Sequence, residues 1–362
     1  MNSSIPVLFR ILLLIGGFIS LALGAETGLM RLGWNTPVYS ADLAAFHGPL
    51  MICGFLGTVI ALERAVAVGR RWAYLGPLFA AAGGLALAAG MSWLLGAGLI
   101  TLASAILLSA SINIFLRQRA LFTFTLLLGS LCWLIGNLLW AGGLSIAQAM
   151  PWWAGFLVIT IAGERLELTR MLPPSPRSKW IFVGVVAIFL LGAVAATLSA
   201  TGSLAIFSAA LLVLAFWLLL HDIARKTVRK TGLVRFIAVC LLSGYAWLLV
   251  GGLIGLWSPG LQPGSSYDAF LHAILVGFVF SMIFGHAPII FPAVTGVKIP
   301  YHPTFYIPLI VLHASLAARV AGDLLLIPHC RSIGGAINVL ALVLFILGTV
   351  AAVIRGKRQI KA

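Results

Sequence analysis

The sequence predicts an all-α, polytopic membrane protein with twelve transmembrane helices, and three observations carry that expectation. The chain is 62% hydrophobic and only 9% charged over 362 residues, a composition outside the range of soluble domains. Its apolar runs reach spanning length repeatedly and are separated by short polar, Gly- or Pro-containing turns. Threading those runs in alternation from a cytoplasmic N-terminus puts all but Arg31, Arg319 and Arg331 of the 23 basic residues on one face. The same alternation accounts for the net charge of +15, so a basic balance that would otherwise suggest nucleic acid is explained by topology. A multi-pass protein of the cell inner (plasma) membrane with both termini cytoplasmic is expected.

The spans lie near 6–25, 43–66, 72–90, 92–115, 121–141, 149–166, 180–200, 202–220, 233–257, 269–292, 303–326 and 332–354, and are read as one transmembrane domain over 1–362. The first follows Arg10 and is of full spanning length. Leu23 is also a poor match to the small residue of a signal-peptidase site, so the run reads as an anchor. An outer loop from Glu26 to Ser40 then offers Trp34 and Tyr39 to an interfacial aromatic belt. In the second span His47 lies four residues, about 6 Å, inside the outer end, with Gly48, Gly54 and Gly57 leaving room for a neighbouring helix or a flat ligand. That span ends in Ile60-Ala61-Leu62-Glu63-Arg64. Spans three to five read as scaffold, with Asn113 and Asn137 as their few polar groups.

The sixth span ends in Ile161-Ala162-Gly163-Glu164-Arg165, and the tenth has Ile283-Phe284-Gly285-His286 at the corresponding place. A shared end pattern at intervals of four spans hints at three pseudo-repeats of four helices. Glu63 and Glu164 are candidate proton-carrying carboxylates, or else ion pairs with the arginines that follow them. The Pro-rich loop from Glu167 to Lys179 is the midpoint of the chain. His221 and Asp222 lead into ARKTVRK, a basic run explained by positive-inside orientation and anionic lipid, with His221 expected to be solvated.

The tenth span, DAFLHAILVGFVFSMIFGHAPIIFP, places His272 four residues after Asp268, much as His47 follows Asp42 by five, and Pro288 and Pro292 are expected to break it. Ionisable groups inside a bilayer are costly and face other helices, a partner or a cofactor. His47 and His272 fall at matching outer depth in parallel spans, and are expected on adjacent helices. His286 and His313 lie about 9 Å and about 15 Å from the inner end, where they could form a second pair. No pair has the short spacing of a zinc motif, whereas two neutral imidazoles from separate helices suit the axial positions of a haem iron. Arg319 lies at a level where it could meet haem propionates or pair with Asp323 at i+4. Cys53, Cys132 and Cys240 fall within spans and Cys330 outside, which implies no disulfide framework.

At His47-Gly48-Pro49-Leu50-Met51, followed by Gly54-Phe55, and at the tenth span around His272, the chain resembles the NnrS family of haem- and copper-associated membrane proteins of the nitric oxide response. More remotely it resembles subunit I of the haem-copper oxidases. The resemblance implies His47 as an axial haem ligand and His272 as its partner. His286 and His313 would supply a reduced second site for haem or copper, because the HPEVY-like segment, the adjacent His-His pair and the closely spaced tenth-span histidines of the oxidases are missing. The expected function is a haem-binding membrane protein handling electrons or a small gas ligand in nitric oxide response or nitrogen-oxide metabolism. Its expected partners are membrane lipid, a small-molecule or gas ligand and an electron-donor protein, with no nucleic acid. An ion- or proton-coupled transporter and a non-catalytic sensor or assembly factor are the alternatives.

Overall fold

The computed structural model describes residues 5–37, 41–169, 175–198, 202–258 and 263–361. Tyr39, Arg170, Pro173 and Pro174 lie outside them. Among the described residues the chain is helical throughout, with no strand, and eleven helices are long and apolar enough to cross a membrane. This is an all-α polytopic membrane protein.

The helices are α1 (Val7–Arg31), α2 (Asp42–Val68), α3 (Leu75–Ala88), α4 (Trp93–Arg117), α5 (Leu121–Ala141), α6 (Ile146–Leu168), α7 (Pro176–Thr197), α8 (Ser203–His221), α9 (Gly232–Trp257), α10 (Ser265–Thr295), α11 (Tyr306–Leu324) and α12 (Pro328–Lys361). The remaining expected span, 72–90, is α3, a helix of 14 residues entered through a 3-10 turn at Arg71–Tyr74, and at about 21 Å it is shorter than a full crossing. The turns around it contain Gly69 and Gly90, both with positive φ (66° and 69°), a backbone that stops a helix without a Cβ penalty. Gly202, with φ of 77°, is the N-cap of α8. Glu26, expected in a loop, is still within α1.

The polarity of the surface is that of a lipid-facing protein. Along α1 the residues Leu8, Leu12, Ile15 and Ile19 recur at helical spacing and are exposed, while Leu13, Gly16, Gly17, Ser20 and Gly24 are buried. Small residues therefore face the protein and large apolar ones face outward, the reverse of a soluble amphipathic helix and the arrangement that lets membrane helices approach closely.

The chain forms two compact units, residues 1–163 with 293–296, and residues 164–292 with 297–362. In the first, α1 packs on α2 and α3 through its glycines. A Cβ on Gly16 would meet Ala81 of α3, one on Gly17 would meet Thr58 of α2, and one on Gly24 would meet Met51. A buried polar knot joins α2, α5 and α6: the indole of Trp133 donates to Cys53 Sγ (3.4 Å), and that of Trp153 donates to Asn137 Oδ1 (2.8 Å). In the second unit, Phe189 and Phe207 join α7 to α8 at 4.2 Å between ring centroids, and Phe284 stacks on Phe345 at 3.9 Å to join α10 to α12.

The proline expectation for α10 fails. Both Pro288 and Pro292 lie inside a helix that continues to Thr295. The irregular part of α10 lies nearer its start, where Ala273–Phe280 is π-helical. No proline occurs there, and at its centre the indole of Trp247 from α9 fills the space that a side chain on Gly277 would need. Packing, not a missing N–H, accompanies the widened turn.

Candidate functional site

The π-helical stretch of α10 has one counterpart among the described residues, Leu50–Leu56 of α2. Each is headed by a histidine of the sequence reading: His47 opens the short helical turn His47–Pro49 just before Leu50, and His272 is the last residue before Ala273. Single widened turns of this kind cost hydrogen-bond quality and recur at functional sites. Each also contains a glycine against which a neighbouring helix closes, Gly54 against Ser20 and Gly277 against Trp247.

The two imidazoles are held in the same tautomer. His47 Nδ1 lies 2.7 Å from the Gly24 carbonyl of α1, and His272 Nδ1 lies 2.7 Å from the Asp268 carbonyl one turn back in α10. A carbonyl can only accept, so Nδ1 carries a proton and donates in both cases, and in a neutral ring so held the lone pair is on Nε2. A metal-ligating histidine is held in this way, its other nitrogen donating to a backbone carbonyl that fixes ring orientation and raises ligand basicity. The donor chemistry therefore fits an axial ligand of haem iron at either residue.

The supports differ. The ring of His47 rests in a notch of α1, where a Cβ on Gly28 would stand 2.8 Å from its Cε1. His272 instead sits one turn along α10 from an ion-pair network built by residues far apart in sequence. Arg331 at the start of α12 reaches Asp268 Oδ2 and Asp323 Oδ1, each at 2.7 Å, and Arg319 Nε stands 4.0 Å from Asp323 Oδ2. Arg319 thus makes the expected i+4 contact with Asp323. In the sequence the i+4 spacing of Arg319 and Asp323 signals one of these contacts, whereas nothing local links Arg331 to Asp268 or Asp323.

His286 and His313 are both fully engaged by protein groups. His286 Nδ1 donates to the Met282 carbonyl (2.7 Å), and Arg165 Nη1 donates to His286 Nε2 (2.8 Å). Arg165 also reaches Asp222 Oδ2 at 3.1 Å, where the Tyr245 hydroxyl donates at 2.6 Å, so α6, α8, α9 and α10 meet in one buried charged cluster. For His313 the direction is set by Trp247, whose indole can only donate: it gives its proton to Nδ1 (2.9 Å), and Nε2 then donates to Ser243 Oγ (2.9 Å). His313 thus ties α11 to two successive turns of α9. His221, expected in solvent, is stacked on Trp217 and bonded to Ser178 Oγ (2.8 Å) and the Trp217 carbonyl (2.9 Å), because α7 begins beside the end of α8. Glu63 and Glu164 are both half-buried near the C-terminal ends of α2 and α6. No group of three or more His, Cys, Asp or Glu side chains able to hold a metal ion occurs among the described residues.

Fold and site together define a multi-pass membrane protein in which two long helices each present an oriented intramembrane histidine at the head of a widened turn. The chain belongs to the family described as "Domain of unknown function (DUF8744)", whose model matches residues 10–354. No curated protein matches it.

Proposed function

We propose that the protein is a haem-binding integral membrane protein that handles electrons or a small gas ligand, with His47 and His272 each serving as an axial ligand through Nε2. The single observation that carries this reading is the matched pair of imidazoles, each with Nδ1–H bonded to a backbone carbonyl and each heading a π-helical stretch. The resemblance to the NnrS family at His47–Phe55 and around His272 supports a role in nitric oxide response or nitrogen-oxide metabolism, in the inner (plasma) membrane with both termini cytoplasmic. Haem held by these residues would supply a redox-active iron; the chain's own part is to orient the imidazoles. Copper at His286 and His313 requires both residues to give up their present hydrogen bonds, so haem is the cofactor this reading assigns first. An electron-donor protein is its expected partner.

A second reading rests on the same stretches. Irregular turns at corresponding places of α2 and α10 also suit an ion- or proton-coupled transporter, in which unwound backbone lines a path. An optical spectrum of protein purified from haem-replete cells, oxidised and then reduced, separates the two. A Soret band that is lost in His47→Ala or His272→Ala is expected. A colourless, fully folded protein would sink the haem assignment and leave the transporter reading.

A further inference from the structure

We propose that the end of the second unit formed by the start of α7, the end of α8 and the α8–α9 connection is a docking site for the phosphate headgroup of an anionic phospholipid. The inference is independent of the haem assignment. Between residues 175 and 235 the chain carries seven basic residues, Arg177, Lys179, Arg225, Lys226, Arg229, Lys230 and Arg235, and one acid, Asp222. All seven cations are exposed, whereas the Asp222 side chain is 1% exposed and is spent inward on Arg165, Tyr245 and the Ala224 N–H. No carboxylate of this segment is left to neutralise the surface.

The cations are gathered by hydrogen bonds rather than by sequence alone. Ser178 on the first turn of α7 bonds His221 at the end of α8 (2.8 Å), and the Trp217 indole donates to the Ser178 carbonyl (2.9 Å), which brings Arg177 and Lys179 to the end where the basic connection begins. The connection itself starts from a fixed geometry. Asp222 Oδ1 accepts the Ala224 N–H at 2.7 Å, and the Arg225 guanidinium donates to the Leu220 carbonyl. A preorganised group of Arg and Lys side chains suits phosphate oxygens, the former by paired N–H donors and the latter as point charges.

Exposed apolar side chains at the same end select a lipid over a soluble acidic protein. Trp180 is 74% exposed and Ile181 54% on the opening turns of α7, and Leu220 is 59% exposed on the last turn of α8. Tryptophan beside basic residues at a helix end is the signature of the headgroup level, with acyl chains on one side and phosphates on the other. A lipid satisfies both chemistries at once, and each basic residue near an anionic bilayer surface is expected to contribute about fivefold in affinity.

The test is native mass spectrometry of the full-length protein in nonionic detergent, titrated with phosphatidylglycerol or phosphatidylcholine. Wild type is expected to retain phosphatidylglycerol in preference, and the Arg225→Gln/Lys226→Gln/Arg229→Gln/Lys230→Gln variant to lose that preference by at least about tenfold. Arg70→Gln/Arg71→Gln, at a basic turn of the first unit, should leave it unchanged. If the fourfold variant does not fold, Arg229→Gln/Lys230→Gln serves the same comparison. Equal retention of both lipids by wild type, equal phosphatidylglycerol retention by wild type and variant, or competition by soluble polyglutamate as effective as by phosphatidylglycerol would each overturn the proposal.

Discussion

His47 and His272 reach the same chemical state by opposite means. His47 is oriented by a different helix: its acceptor is the Gly24 carbonyl of α1, and its ring lies against Gly28 of the same helix. His272 is oriented within its own helix, by the Asp268 carbonyl four residues back, and that first turn is then pinned by the Asp268–Arg331–Asp323 ion pairs. An imidazole in the first unit therefore depends on how closely two helices pack, while the one in the second depends on local helix geometry reinforced by charge. The contrast teaches that a tautomer suited to metal binding needs only a fixed carbonyl beside Nδ1, whichever element supplies it.

Three substitutions sharpen or break that comparison, from the largest expected effect to the smallest. On the proposed haem reading, Gly28→Val, which puts branched carbons where the His47 ring lies, should lower bound haem to the level of His47→Ala, read from the Soret absorbance per protein, with helicity by circular dichroism retained. Normal haem content in that variant would show that the notch does not set the orientation of His47. Arg331→Gln leaves Asp323, which is 0% exposed, and Asp268 without their strongest partner, and should cost about 3 kcal/mol of stability in denaturant titrations. Because the Nδ1 acceptor of His272 is main chain, the haem spectrum of the folded fraction should stay close to wild type, and its loss would make His272 as dependent on tertiary contacts as His47. Trp247→Phe removes the donor to His313 Nδ1 and should cost about 1 kcal/mol without altering haem or metal content. A change in metal content would give His313 a ligand role that its present hydrogen bonds argue against.

Much of this was legible in the chain. His47 and His272 stood out because a titratable group in an apolar run is rare enough to need a partner. Gly48, Gly54 and Gly57 of the second span announced a close helix contact, but a small-residue face does not name its neighbour, so the seat of His47 against Gly28 emerged only from packing. Likewise the end patterns of spans six and ten were visible as Glu164-Arg165 and Gly285-His286, yet nothing in them said that Arg165 would donate to His286 and pair with Asp222. Those residues are separated by 121 positions in one case, and their meeting depends on rotation about each helix axis. Depth along a helix, which did follow from sequence, is only one of the two coordinates that bring side chains together.

The prolines of α10 make the same division from another side. Pro288 and Pro292 were read as breaks because each lacks an N–H, but in a packed membrane helix the freed carbonyls are re-satisfied nearby and the helix runs on. The widened turn lies instead where Trp247 presses on Gly277. By itself the sequence determined what belongs in the membrane, roughly where each helix starts and stops, and which few polar groups are carried inside, because hydropathy and turn chemistry are local properties. The tertiary structure alone decided which nitrogen of His47 and of His313 holds its proton, which distant charges neutralise one another, and where a helix widens. Those follow from the rotation and close approach of neighbouring helices, on which no local pattern of residues has a hold.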